Sequence, residues 1–173
     1  MLFRSRSVKV GPGTEADVQL GPINNRPQFD RVSELVADAL SSGAVAAAGG
    51  KPMEGDGYFF EPTILAGLAD GTRIVDEEQF GPALPVIPYR DIDEVVERAN
   101  ATNYGLSGSV WGTDVDRAVA IARRVRTGQI AVNGFGPGGA PFGGFNQSGF
   151  GRESGGIRGI RQYMEPKAMG LPA

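Results

Sequence analysis

The chain has 173 residues, 40% hydrophobic and 21% charged, enough for one domain with a proper core and too few for two large ones. Its 17 basic and 20 acidic side chains leave a net charge of −3 without a basic cluster, which argues against nucleic acid as a partner. Cysteine and histidine are both absent. That excludes disulfides, zinc sites of the Cys/His type, a cysteine nucleophile and a histidine proton shuttle, and leaves carboxylate, Ser, Tyr, Lys and Arg chemistry.

No apolar run approaches the roughly 20 residues that span a bilayer. The stretch from Met1 to Ser7 carries Arg4 and Arg6 but no apolar segment long enough for a signal peptide, so a cytoplasmic setting is expected. Residues 1–26 show no periodic element and are punctuated by Gly11-Pro12-Gly13 and Gly21-Pro22, which reads as an irregular lead-in, the remnant of an upstream region.

The first predicted helix covers Pro27 to Ser42. Phe29, Val32, Leu35, Val36 and Ala39 recur at helical spacing, Pro27 suits the first turn, and Asn24 or Asn25 caps it. Gly43 ends it, and Ala44 to Ala48 reads as a short strand before Gly49-Gly50. A further strand is expected from Tyr58 to Leu65, with Pro62 arguing for an edge position.

Asp76-Glu77-Glu78-Gln79-Phe80-Gly81-Pro82 then forms a short acidic helix or turn that feeds the apolar run Ala83 to Tyr89. A carboxylate just off the end of a strand can accept hydrogen bonds from ligand hydroxyls, and an aromatic two residues on can lie against a flat ring. The plainer reading is a solvated acidic turn with Phe80 in the core. A hydrolase built on the Glu77/Glu78 pair is disfavoured, because adjacent side chains point apart and do not flank one scissile bond.

From there the pattern is regular. Strand Ala83–Tyr89 leads to a helix over Asp91–Ala101, with Ile92, Val95, Val96 and Ala99 facing the core and Asp91 with Glu94 as a capping box. Strand Leu106–Trp111, a helix over Asp114–Val125 burying Val115, Ala118, Val119 and Ala122, and strand Gln129–Val132 follow. This alternation predicts an α/β fold with an open, mostly parallel sheet and flanking helices. Residues 27–152 are expected to form the α/β domain, and residues 153–173 a short helix near Ser154–Gly159 and an extended tail, Gln162–Met169, free to pair with an edge elsewhere.

The glycine-rich segment after Asn133 lacks the Gly-Lys-Ser/Thr ending of a P-loop. Its phenylalanines Phe135, Phe142, Phe145 and Phe150 fit no strand or helix face. It reads either as a flexible surface loop or as a tight path whose aromatics line a cavity.

The order of motifs is itself informative. Gly21-Pro22-Ile23-Asn24, Gly49-Gly50, Gly57-Tyr58-Phe59 with Pro62-Thr63, and Glu77 to Pro82 come in sequence, followed by Asn103-Tyr104-Gly105-Leu106, Gly128 to Asn133, Ala140-Pro141-Phe142-Gly143-Gly144, and Ser148-Gly149 with Gly151-Arg152-Glu153. From about residue 8 to residue 169 this resembles the C-terminal part of the NAD(P)-dependent aldehyde dehydrogenase superfamily.

The resemblance implies that Glu78 binds the hydroxyls of the nicotinamide ribose and that Phe80 packs beside that ribose. It implies that Gln28 and Arg31 approach the cofactor, that Phe142 and Phe135 wall the aldehyde-entry funnel, and that the tail around Tyr163–Met169 joins a neighbouring subunit in a homo-oligomer. The implied reaction oxidises an aldehyde to a carboxylic acid. A cysteine thiolate attacks the aldehyde, the thiohemiacetal passes hydride to NAD or NADP, and a glutamate-activated water releases the acid.

In the family the cysteine, base, oxyanion asparagine and cofactor domain lie upstream of this region, and this chain contains no cysteine. The expectation is therefore a part of an oxidoreductase, inactive alone, with no catalytic residue of its own and no membrane or nucleic-acid partner. Whether NAD or NADP serves is open, because the residues that meet the adenosine 2′ position lie upstream. The alternative is a non-catalytic chain that oligomerises or binds a partner through the same fold.

Overall fold

The lead-in is not featureless. In the computed structural model, which describes residues 2–172, helix α1 runs over Leu2–Ser7, and Arg6 Nη2 donates to the Ala47 carbonyl at 2.9 Å. Val10 and Leu20 form a parallel bridge, closed by Lys9 Nζ at 2.7 Å from Asp17 and 3.2 Å from Glu15. A helix of under two turns is too short to show periodicity, which is why the sequence reads as irregular there.

Helix α2 (Arg26–Ser41) starts where its cap predicts. The Asn25 side chain accepts the Gln28 N–H at 2.9 Å, and Pro27 sits in the first turn. Val32, Leu35, Val36 and Ala39 are buried as expected. They join Phe60, Leu65 and Ile74 in one apolar cluster, and the half-buried Phe29 ring meets Phe60 edge-on at 6.4 Å.

Strands β1 (Val45–Ala48), β2 (Thr63–Ala66) and, after the one-turn helix α3 (Arg73–Asp76), β3 (Ala83–Pro85) make a three-stranded sheet in that order. β1 runs antiparallel to β2, and β2 parallel to β3. The expected edge position for the Pro62 strand is corrected here, since β2 is central. Proline lacks only its own N–H, and the strand simply begins one residue later, with Thr63 N donating to the Pro82 carbonyl at 2.7 Å. Thr63 is buried yet satisfied, its hydroxyl donating to the Glu61 carbonyl and accepting from Gly50 N.

The chain divides into two compact units between Pro88 and Tyr89. In the second, helix α4 (Ile92–Asn100), strand β4 (Ser107–Val110), helix α5 (Val115–Ala122) and strand β5 (Gln129–Val132) follow one another, and β4 pairs parallel to β5 from Ser107↔Gln129 to Val110↔Val132. Two of the three ladders are thus parallel, giving the expected α/β fold, but the ladders form two small sheets, and the strand at Ala83 belongs with β2.

Asp91 caps α4 through Glu94 N, while the Glu94 carboxylate reaches back to Arg90 N at 3.1 Å, one residue beyond the N-cap N–H of a full capping box. Val96 is buried in α4, and Ala118 and Ala122 in α5, but Ala99 and Val115 are exposed against expectation. Periodicity identifies a face, and residues at the end turns of short helices lie beyond the surface that face covers.

Helix α6 (Ile157–Ile160) starts later than expected, because Ser154, Gly155 and Gly156 all take positive φ. A 3-10 turn, Arg161–Tyr163, follows, so the irregular exposed tail begins only at Met164. No helix among the described residues is long and apolar enough to cross a membrane.

Leu35 is fully buried in the first unit's core. Leu35→Ala is expected to cost about 2–5 kcal/mol, measured from amide exchange in α2 under increasing urea. A loss below about 1 kcal/mol would contradict this placement.

Candidate functional site

The acidic segment leaves α3 at Glu77, whose N–H still bonds the Arg73 carbonyl while its backbone has turned extended (φ −98°, ψ 133°). From there burial alternates. Glu77 and Gln79 are half-buried, while Glu78 and Phe80 are exposed, Phe80 to 69%. Residues two apart in such an alternation face the same way, so Glu78 and Phe80 share the solvent side.

The inward side chains are held by protein, though the Gln79 side-chain oxygen is buried without a partner among the described residues. Arg31 Nη2 lies 3.0 Å from Glu77 Oε2, and Arg31 Nε donates to the Glu78 carbonyl at 3.1 Å. Arg73 Nε lies 2.8 Å from Glu77 Oε1, and its Nη1 2.8 Å from Glu34. The Gln79 amide donates to the Ala83 carbonyl at 2.8 Å. Gly81 lies so close to α2 that an added Cβ would strike the Val32 side chain.

Glu77 is held below the usual carboxylate range, chiefly by the Arg73 hydrogen bond, against a partial burial that acts the other way, and with help from Arg31. Arg73 is pushed above its ordinary value by the hydrogen bonds it donates to Glu77 first and Glu34 second. Glu78 differs from both. Among the described residues its carboxylate has no hydrogen-bonding partner.

The other expected site residues separate by unit. Gln28 sits one turn before Arg31 on α2, and its side-chain oxygen is buried without a partner. Phe135 and Phe142 belong to the second unit. Phe135 is 84% exposed at a tight turn in which Asn133 and Gly134 take positive φ. That turn is clasped by the Asn133 amide, which exchanges two hydrogen bonds of 2.9 Å with the Gly112 backbone. Phe142 bridges to Glu153 and lines a cavity of about 370 Å³ with Leu106, Arg152 and Tyr163, while Phe135 is not among its lining residues.

The glycine-rich segment is no loose loop. Phe145 N and Gln147 N donate to the Gly105 and Asn103 carbonyls, Ser148 Oγ accepts from Gly105 N, and Arg152 bonds the Gly144 carbonyl while stacking 5.2 Å over Phe145. An added Cβ at Gly128 would collide with the Gly143 carbonyl, so backbone packs on backbone there. The N–H groups of Phe142, Phe145, Gln147 and Ser148 are used internally.

Sequence reasoning missed Arg73, Glu34 and Asn133. Arg73 and Glu77 stand at a legible i,i+4 spacing, but Arg31 and Glu77 are 46 residues apart and carry no local signal.

The arrangement offers a free carboxylate beside an exposed aromatic ring on a braced turn. A carboxylate accepts from two vicinal hydroxyls at once, and a ring covers a flat or sugar face, so these residues suit a ligand that carries a vicinal diol.

Residues 1–169 match the pattern of the aldehyde dehydrogenase family. The chain is 40% identical over 173 residues to betaine aldehyde dehydrogenase of Bacillus subtilis, covering 96% of this chain and 35% of that protein. It is 37% identical over 168 residues to aldehyde dehydrogenase 1A1 of Gallus gallus, covering 96% and 33%. Among solved structures, an NAD+ complex of aldehyde dehydrogenase from Bacillus cereus matches with a TM-score of 0.87 at 36% identity, covering 95% of this chain and 34% of that one. The chain thus spans about a third of the length of the curated relatives it matches.

The folded-state pKa of Glu77 lies below its unfolded value, so its stabilisation is full above the ordinary carboxylate range near ~4.3 and is lost as pH falls through the folded value. Glu77→Gln should therefore flatten the acid limb of the urea midpoint plotted against pH. Superimposable acid limbs for variant and parent would contradict the ion-pair account.

Proposed function

The chain belongs to the aldehyde dehydrogenase family, and we propose that it supplies the nicotinamide-ribose face of an enzyme that oxidises an aldehyde to a carboxylic acid with NAD or NADP. One observation carries this reading. In the segment from Glu77 to Ala83 the Glu77 carboxylate and the Gln79 amide nitrogen are bonded to protein, while the Glu78 carboxylate, on the solvent side with the exposed Phe80 ring, is left free among the described residues.

In this reading Glu78 accepts from both ribose hydroxyls, a charge-assisted interaction worth about 1.5–3 kcal/mol, and Phe80 packs against the sugar. The family resemblance also implies Gln28 and Arg31, one turn apart on α2, near the cofactor, and a bonding partner for the buried Gln28 oxygen would come with the ligand. The bound dinucleotide supplies the hydride-accepting ring, which these side chains hold in place. Phe142 and Phe135 wall the aldehyde's approach. The chain has no cysteine, so the attacking thiol comes from outside these 173 residues.

That a relative's structure holds NAD+ supports the cofactor class. The exposed Ile157, Ile160, Tyr163 and Met164 support a homo-oligomeric contact through the C-terminal segment.

Titration of this chain with NAD+ by calorimetry should give weak or undetectable binding, because only the nicotinamide end is contacted. A micromolar Kd would contradict the reading. In a full-length enzyme carrying this segment, Glu78→Gln should slow hydride transfer by roughly tenfold or more, and unchanged turnover with unchanged cofactor affinity would remove Glu78 from the site.

A further inference from the structure

Arg31 reaches two consecutive residues at once. Its Nε–H donates to the Glu78 carbonyl at 3.1 Å and its Nη2–H to the Glu77 carboxylate at 3.0 Å, one edge of the planar guanidinium spanning main chain and side chain. Glu77 is held from its other oxygen by Arg73 at 2.8 Å, and Arg73 returns to α2 through Glu34, one turn beyond Arg31, again at 2.8 Å. The four charges alternate and close a loop between α2 and the end of α3. Glu77, at the centre of this loop, lies on the inward side of the turn, and the Glu78 carboxylate emerges on the other.

We propose that Arg31 and Glu77 are positioning residues for the cofactor site. They aim Glu78 at the nicotinamide ribose by fixing its backbone, and Arg31 acts through Glu78 rather than by touching the ribose itself. The inference rests on the reading of Glu78 as a ribose ligand. Its physical basis is that the partners are each a third or more exposed (37–40% for Arg31, Glu77 and Arg73), where ion pairs add little stability. What such a fork supplies is direction. A swing of the Glu78 backbone would misplace the carboxylate against two hydroxyls whose spacing is set by the sugar.

Lysine at position 31 would keep the charge and the Glu77 pairing. It is a single point donor and would lose the second arm to the Glu78 carbonyl.

The test compares two monocationic probes that share the nicotinamide ring, nicotinamide riboside and 1-methylnicotinamide, titrated at millimolar concentration into the 173-residue chain and followed by NMR. The parent chain should prefer the riboside by about tenfold, and Glu78→Gln should abolish that preference. Arg31→Gln and Arg31→Lys should each reduce it at least about threefold while 1-methylnicotinamide binding stays the same. In the Glu78→Gln background Arg31→Gln should have no further effect, because the two act through one contact.

A parent chain with no riboside preference would overturn the ribose reading itself. A parent that discriminates, with Arg31 variants that keep the ratio or weaken both probes equally, would overturn only the positioning role. A further loss in the double variant would show Arg31 touching the ribose directly, which also overturns it.

Discussion

A single carboxylate shared between two guanidiniums sets the geometry of the turn that carries Glu78 and Phe80. Glu77 receives Arg31 from α2 and Arg73 from α3, and both arginines are also committed elsewhere, to the Glu78 carbonyl and to Glu34. Without that shared acceptor two cations would face each other across a half-buried gap, and the turn would have no reason to leave α3 in the direction it takes. With it, the Glu77 carboxylate is fully taken up, and the Glu78 carboxylate points outward. The apolar contact of Gly81 on Val32 fixes the same turn from the side. A turn held by charge on one flank and by close packing on the other can present an exposed carboxylate and an exposed ring without being ordered by either.

The second unit solves a different problem with different means. A segment rich in glycine has the highest backbone entropy to lose. Here the loss is offset by backbone hydrogen bonds to Gly105 and Asn103 and by Arg152, which bonds the Gly144 carbonyl and lies over Phe145. Glycine at position 128 is what allows its backbone to approach the Gly143 carbonyl so closely, and glycine at position 143 allows the approach to Gly151. The outcome is a shaped wall holding Phe142, in place of the mobile loop that composition alone favours.

How much of this could be read beforehand varies with the range of the interaction. Helix α2 was legible because Asn25, Pro27 and the Val32–Leu35–Val36–Ala39 face are all local signals that agree. Pro62 predicts an edge strand only when a proline stands inside a ladder, and this one stands just before it. The spacing of Ala99 and Val115 carries direction but not depth, so both lie exposed although they fall on the apolar face. Glu78 and Phe80 stood out through the order of motifs, not through anything in the acidic turn itself. The bracing by Arg31 was invisible, since a contact over 46 residues depends on the fold that brings α2 against the turn.

The most direct measurement is amide-shift mapping of the ¹⁵N-labelled chain with NAD+ at millimolar concentration. The account predicts perturbations centred on Glu78 to Gly81 and on the first turns of α2 around Gln28 and Arg31. Shifts confined to other segments, or none at all, would contradict the assignment of this turn as the nicotinamide-ribose surface.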